Sequence, residues 1–274
     1  MASDLKRRID EAASFVRSKS KISPKIGIIL GTGLGQLAKH LKADATISYS
    51  EIPNFPVSTV EYHAGELVIG TLADKPVVTM CGRVHYYEGY TMQEVTFPVR
   101  VMRALGADVL IVSSAVGAMN PDFGLGDLVI VRDHINLMGD NPLIGPNDDE
   151  LGPRFPDMSR PYDSELMQLA EDAAEREKVS AHRGVLVAVA GPNLETAAEY
   201  SFLRSTGADI VGMSVVPEDL VAIHGNMRVL CLSVVTDKCV PETLEPADIE
   251  RILRVAQEAE PRLARIVTDV VKHI

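Results

Sequence analysis

Nowhere in the 274 residues do the ~20 consecutive apolar residues of a membrane span occur. There is no extended run of lysine or arginine either, and the net charge is −11. A nucleic-acid backbone or an anionic membrane is therefore excluded as the expected partner, and any anionic ligand must be held by a local site. Cysteine is scarce: Cys81, Cys231 and Cys239 are odd in number, and their spacing matches no zinc or redox pattern, so reduced thiols and no metal are expected. Internal repeats, low-complexity tracts and Gly/Ser/Pro linkers are also lacking, which favours one domain over residues 1–274. At the N-terminus, Leu5, Ile9, Ala12 and Val16 recur at helical spacing and form no continuous apolar h-region. An amphipathic helix and a cytoplasmic protein are the expectation.

What is present is an alternation of short apolar runs with longer segments of 3.6-residue periodicity, the pattern of an α/β protein with a largely buried sheet. Eight strands are predicted, at Ile26 to Leu30, Leu67 to Ile69, Val77 to Met80, Val109 to Ser113, Leu128 to Val131, Val185 to Ala190, Ile210 to Met213 and Val229 to Val235. Helices are predicted at Asp4 to Ser18, Thr91 to Leu105, Ser164 to Lys178, Glu195 to Ser205, Pro217 to His224 and Pro246 to Ile274. Thr91 with Glu94 forms a capping box, and Pro246 suits a first helical position. Pro98 and Pro261 are expected to kink or interrupt their helices. Between Asp140 and Asp163 five prolines recur among Gly, Asn and Asp, which predicts a long loop that is either a contact arm or a surface insertion.

Six motifs end predicted strands. Gly31-Thr32-Gly33-Leu34-Gly35 follows the first and suits either an anion cradle or a structural turn; it lacks the third glycine of a dinucleotide fingerprint, since position 36 is Gln36. In Gly82-Arg83-Val84-His85-Tyr86-Tyr87, the period of an extended chain puts Arg83, His85 and Tyr87 on one side, where the cations can reach one phosphate. The run from Val109 ends in Ser113, Ser114, Ala115 and Gly117, small residues that leave backbone amides near Ala115 accessible, or else mark tight packing. Glu195 follows Leu194 after another strand, Ser214 follows Met213, and Asp237 follows Thr236. Together they outline an anion site beside a flat, partly apolar pocket. No partner is inferable for His40, His134, His182 and His224, which are expected to be packed or surface residues.

With these motifs in order from Gly27 to Asp237, the chain resembles the trimeric purine nucleoside phosphorylases and their relatives the 5′-methylthioadenosine phosphorylases. The shared pattern also includes Ser58-Thr59-Val60 with His63-Ala64-Gly65, Asn147-Asp148, and Arg154-Phe155-Pro156. The resemblance implies a single α/β domain with a central mixed sheet flanked by helices. It implies phosphate-dependent cleavage of a purine nucleoside, with phosphate as co-substrate, no cofactor, and a homotrimer working in purine salvage. Phosphate would be held by Thr32, Arg83, His85, Ser214 and the Ala115 amide, with His63 nearby. Ribose would meet Tyr87 and Met213. The purine would meet Leu194, Glu195 and Asp237, with Phe155 covering the neighbouring subunit's site; His85, Glu195 and Asp237 would be the catalytic groups. A dinucleotide-binding protein or a non-catalytic purine-binding module would leave most of these residues without a use.

Two departures from the 6-oxopurine-specific pattern bear on the substrate. Asp237 stands where those enzymes typically have Asn; ionised it repels O6 and accepts from a 6-amino group, and protonated it donates to N7. Ile249 stands where a His often meets the 5′-hydroxyl. Glu195 suits a 6-oxopurine, whereas Asp237, Ile249 and Thr32 lean toward the methylthioadenosine branch, the alternative assignment.

Overall fold

The computed structural model describes residues 3–31, 35–59 and 65–274, with the side chain of Gln36 left out. Nine strands form one sheet: β1 (Ile26–Leu30), β2 (Lys42–Ser48), β3 (Glu66–Leu72), β4 (Lys75–Cys81), β5 (Val109–Ala118), β6 (Leu128–Leu137), β7 (Ala181–Val189), β8 (Ile210–Gly212) and β9 (Arg228–Lys238). Six α-helices accompany them: α1 (Asp4–Lys19), α2 (Met92–Leu105), α3 (Ser164–Glu177), α4 (Ala197–Ser205), α5 (Val216–His224) and α6 (Ile249–His273). None of the described helices is long and apolar enough to cross a membrane.

Strand order is β2-β3-β4-β1-β5-β8-β7-β6-β9, with β5 also paired to β9, so the last five strands close into a ring. β5 runs parallel to β1 over Val109 to Val112 and to β9 along its whole length, then meets β8 antiparallel at Gly117 and Ala118. The sheet is mixed, as the family pattern implies. Helices α1, α2 and α5 pack together and reach β1 and β9, while α3 and α6 pack on each other and on β6, β9 and β3. The main core is aliphatic, and a smaller cluster of Met119, Val187, Tyr200, Leu203, Ala208, Val211 and Cys239 fastens α4 to the ends of β8 and β9.

Several expectations are corrected by the structure. The ninth strand, β2, was not anticipated because it is an edge strand with only Ile47 buried, so it carries no apolar alternation. The last helix starts at Ile249 and not at Pro246, because Asp248 accepts from the Arg251 amide and sets the cap. Glu195 lies outside α4: the reciprocal bonds between Thr196 and Glu199 start that helix at Ala197. Neither Pro98 nor Pro261 interrupts its helix. Each proline forgoes one backbone bond, and buried neighbours such as Phe97, Val99, Leu263 and Ala264 hold the helix through the gap. The Thr91–Glu94 capping box forms as predicted.

The proline-rich segment is a loop without regular structure. Arg154 donates to the Leu143 and Gly145 carbonyls, Asn147 donates to that of Gly152, and His224 contacts the Asn147 amide oxygen at 3.3 Å. Gly152 lies so close to α5 that a Cβ there would stand 2.0 Å from the His224 carbonyl oxygen.

Where β1 ends, the Gly31 amide donates to the Ser113 hydroxyl at 3.2 Å, and that hydroxyl donates to the Ile29 carbonyl at 3.1 Å. A Cβ on Gly31 would stand 2.7 Å from the Ser113 carbonyl oxygen, a backbone atom that cannot rotate away. Gly31→Ala is therefore expected to cost about 1–3 kcal/mol of stability through overpacking. Urea denaturation measures it, and an unchanged midpoint would show that β1 and β5 can separate freely.

Candidate active site

A cavity of about 200 Å³ opens at the ends of β5, β7, β8 and β9, and nearly every motif singled out in the sequence contributes to its wall. Arg83, His85, Tyr87, Ala115 and Ser214 line it, and so do Leu194, Glu195, Met213 and Asp237.

Arg83 and His85 come from the extended segment after β4, and both are buried. The Arg83 guanidinium is fixed by Glu218 Oε1 at 2.9 Å and by the Ser113 carbonyl, so it cannot swing out to solvent. His85 is fixed in a similar way. Its amide donates to Glu88 Oε1 at 2.7 Å, its ring Nδ1 lies 3.1 Å from the same oxygen, and the Tyr87 ring stacks on it at 4.7 Å and 13°. The other Glu88 oxygen accepts from the Thr59 amide and hydroxyl at 2.8 and 2.7 Å. Each basic side chain thus has a carboxyl group behind it.

Ser214 lies two residues before α5, after β8, and Val215 between them takes a left-handed backbone with φ of 77°. The amide-rich start of α5 favours an anion beside Ser214. Ala115 sits within β5, which continues to Ala118, so the small residues there are part of the strand and do not follow it. Met213 packs on Gly191, where a Cβ would stand 2.3 Å from its sulfur.

At the other end Leu194 is exposed and Glu195 is half-buried. Burial pushes the Glu195 carboxyl up, against donation from Tyr200. The cavity wall also contains Thr236, Tyr200, Cys239, Val189, Val211 and Ile252, which sequence reasoning missed. Cys239 was within reach, because it follows Asp237 at the two-residue spacing that linked Arg83 to His85. Tyr200 was not, since it lies across a helix cap from Glu195.

Some candidates lie elsewhere. Thr32 and His63 are outside the described residues. Ile249 is 56% exposed and is not part of this wall; Ile252, one turn later on α6, is. Phe155 is 87% exposed, with the Arg154 guanidinium 5.7 Å from its ring, and contributes nothing to its own chain's cavity. Of the histidines without an inferred partner, His134 meets Tyr162 and Asp219, His182 meets Asp127 and stacks on Phe123, and His224 meets Arg100 and Asn147.

The cavity thus brings donors able to hold an anion together with two carboxyl groups able to meet a hydrogen-bonding ring. Comparison with known proteins identifies the family. The phosphorylase superfamily matches residues 25–272. Purine nucleoside phosphorylase 1 of Bacillus subtilis (strain 168) is 49% identical over 267 residues, covering 97% of this chain and 98% of that protein. The Mus musculus purine nucleoside phosphorylase is 44% identical over 272 residues, covering 97% and 94%. Among solved structures, isoform 2 of purine nucleoside phosphorylase from Schistosoma mansoni, in complex with cytosine and ribose-1-phosphate, superposes with a TM-score of 0.94 at 38% identity, covering 98% of this chain and 96% of that one.

The Glu88 clasp makes a pH prediction. Burial pushes its carboxyl up, but the donors of His85 and Thr59 outweigh that and bring its pKa down to about 2. The folded value lies below the unfolded one of about 4.3. The stabilisation is therefore complete above about pH 5 and is lost as pH falls toward 2. The urea-midpoint difference between wild type and Glu88→Gln is expected to shrink over that window; a difference that does not vary with pH would refute the clasp.

Proposed function

The chain belongs to the phosphorylase superfamily and, within it, sits with the purine nucleoside phosphorylases, and on that premise we propose how its cavity cleaves a purine nucleoside with phosphate. The observation that carries the reading is the convergence of Arg83, His85 and Ser214 with Glu195 and Asp237 in one cavity. Phosphate sits against Arg83, His85, Ser214 and the Ala115 amide, with Thr32 and His63 completing its shell. Ribose lies between the phosphate and the base, against Tyr87 and Met213. The purine meets Leu194, Glu195 and Asp237.

Departure of the purine leaves positive charge on the ribose ring and negative charge on the base. Phosphate held beside C1′ stabilises the first charge, then captures the carbon, giving ribose 1-phosphate; holding it in place beforehand removes much of the entropic barrier. The second charge is met at the base. Glu195 accepts from N1–H of a 6-oxopurine, and Asp237, when protonated, donates to N7. The carboxylate Glu218 and the clasp Glu88 act only by holding Arg83 and His85. Phosphate is a co-substrate, and no cofactor enters this scheme.

Three further features belong to the same proposal. The chain forms a homotrimer in which the exposed Phe155 of one subunit covers the base pocket of the next. It works in purine salvage in the cytoplasm. The apolar Ile252, on the cavity wall one turn after Ile249, supports tolerance of an apolar 5′-substituent, the one respect in which methylthioadenosine stays a candidate substrate.

Incubation with phosphate and each of inosine, guanosine, adenosine and methylthioadenosine tests the reading. Cleavage of inosine or guanosine is expected, and failure with all four, arsenate included as acceptor, refutes it. His85→Ala is expected to raise the KM for phosphate about tenfold or more, the scale of one hydrogen bond to a charged group, with a smaller effect on the nucleoside KM. Asp237→Asn supplies an amide able to donate to N7 without repelling O6, and the ratio of inosine to adenosine turnover is expected to rise. Phe155→Ala is expected to lower nucleoside affinity while sedimentation still reports a trimer; a monomer with unchanged KM would remove Phe155 from the site.

A further inference from the structure

Glu195 and Asp237 reach the cavity from different elements, the loop before α4 and the end of β9. Two buried side chains lie between them, Tyr200 at 3% and Cys239 at 2% exposure, and both line the same cavity. The Cys239 thiol donates to Asp237 Oδ2 at 3.7 Å. Tyr200 packs in the same small core as Cys239 and is coupled electrostatically to both the Cys239 sulfur and the Glu195 carboxyl. Tyr200 and Cys239 have little freedom. Both belong to the small core under α4, and the Cys239 sulfur lies against β5 where a Cβ on Gly117 would stand 2.4 Å from it.

We infer that Tyr200 and Cys239 are positioning residues for the base: their two protons serve the two carboxylates, one donor to each, and join Glu195 and Asp237 into a single recognition unit. The count follows from the chemistry of the groups. A tyrosine hydroxyl and a thiol each carry one proton, and burial keeps both protonated at neutral pH, the thiol being pushed up to about 12. With both carboxylates ionised, Tyr200 donates to Glu195 and Cys239 to Asp237.

This inference rests on the reading that Glu195 and Asp237 face the purine. Glu195 is faced by Tyr200 and Glu199 of α4 and by Cys239 beyond β9, with its own amide as a further donor; Glu199 pushes its pKa up and Tyr200 pulls it down. Cys239 is faced by Tyr200, Asp237 and Glu195.

The test is the pH dependence of kcat/KM for inosine in wild type, Tyr200→Phe, Cys239→Ala and Cys239→Ser, with the KM for phosphate measured alongside. Tyr200→Phe keeps the ring and removes the donor, so the acid limb, where Glu195 is protonated, is expected to move up by about one pH unit. The nucleoside KM should rise severalfold while the phosphate KM stays put. Cys239→Ala should shift the same limb less, and Cys239→Ser, which restores a donor, should return it toward wild type. Tyr200→Phe and Cys239→Ser are close isosteres, so they carry the test if Cys239→Ala lowers stability. Glu195→Ala separates the two readings. If it abolishes inosine cleavage while Tyr200→Phe and Cys239→Ala keep the wild-type acid limb and KM, the positioning role is refuted and the base assignment stands. If Glu195→Ala leaves turnover intact, the base assignment falls and the positioning role falls with it.

Discussion

The structure depends on how closely other strands can approach β5. It pairs with β9 along its whole length on one side while its other edge passes from β1 to β8. Such a change of partner needs backbone to come near backbone, and the residues at the crossing are small for that reason: Gly31 against the Ser113 carbonyl, and Gly117 against Cys239 and Val211. With larger side chains there, β8 and β9 could not both lie against β5, and the ring of five strands would not close. The cavity follows from that closure. It opens at the strand ends of that ring, where β8 joins β5 antiparallel and β7 parallel.

Electrostatics then decide how an acidic protein binds an anion. The net charge of −11 gives no long-range attraction, and the two basic side chains lining the cavity are each backed by a carboxyl group, Arg83 by Glu218 and His85 by Glu88. Pairing fixes the direction of each donor. A buried ion pair is weak evidence for stability, since desolvation offsets most of its attraction. Its value here is orientation: a guanidinium and an imidazole that cannot turn away can present their hydrogen bonds to the phosphate proposed to bind there at no cost of reorganisation.

Much of this was legible in the sequence because it is local. A period of two put Arg83, His85 and Tyr87 on one side, and strand-ending polar residues marked Ser214, Glu195 and Asp237. What was not legible depends on chain separations that a linear reading cannot close. Glu218 finds Arg83 across 135 residues, Glu88 finds Thr59 across 29, and Tyr200 reaches Cys239 only because α4 folds back on the end of β9. Edge strand β2 escaped because it buries almost nothing, and the start of α6 was misplaced because a proline signal and an aspartate cap competed two residues apart and the side-chain hydrogen bond prevailed.

The wall of the cavity is supported in two different ways. Arg83 and His85 are held by Glu218, Glu88 and Ser113, all of which lie outside the small core of seven buried residues. Tyr200 and Cys239 belong to that small core, which packs under a nine-residue helix. On the assignment proposed above, with Arg83 and His85 on phosphate and Glu195 and Asp237 on the base, changes in the smaller core leave the phosphate contacts in place. A residue such as Asp237, which departs from the 6-oxopurine pattern, can on that assignment stand beside an intact phosphate site.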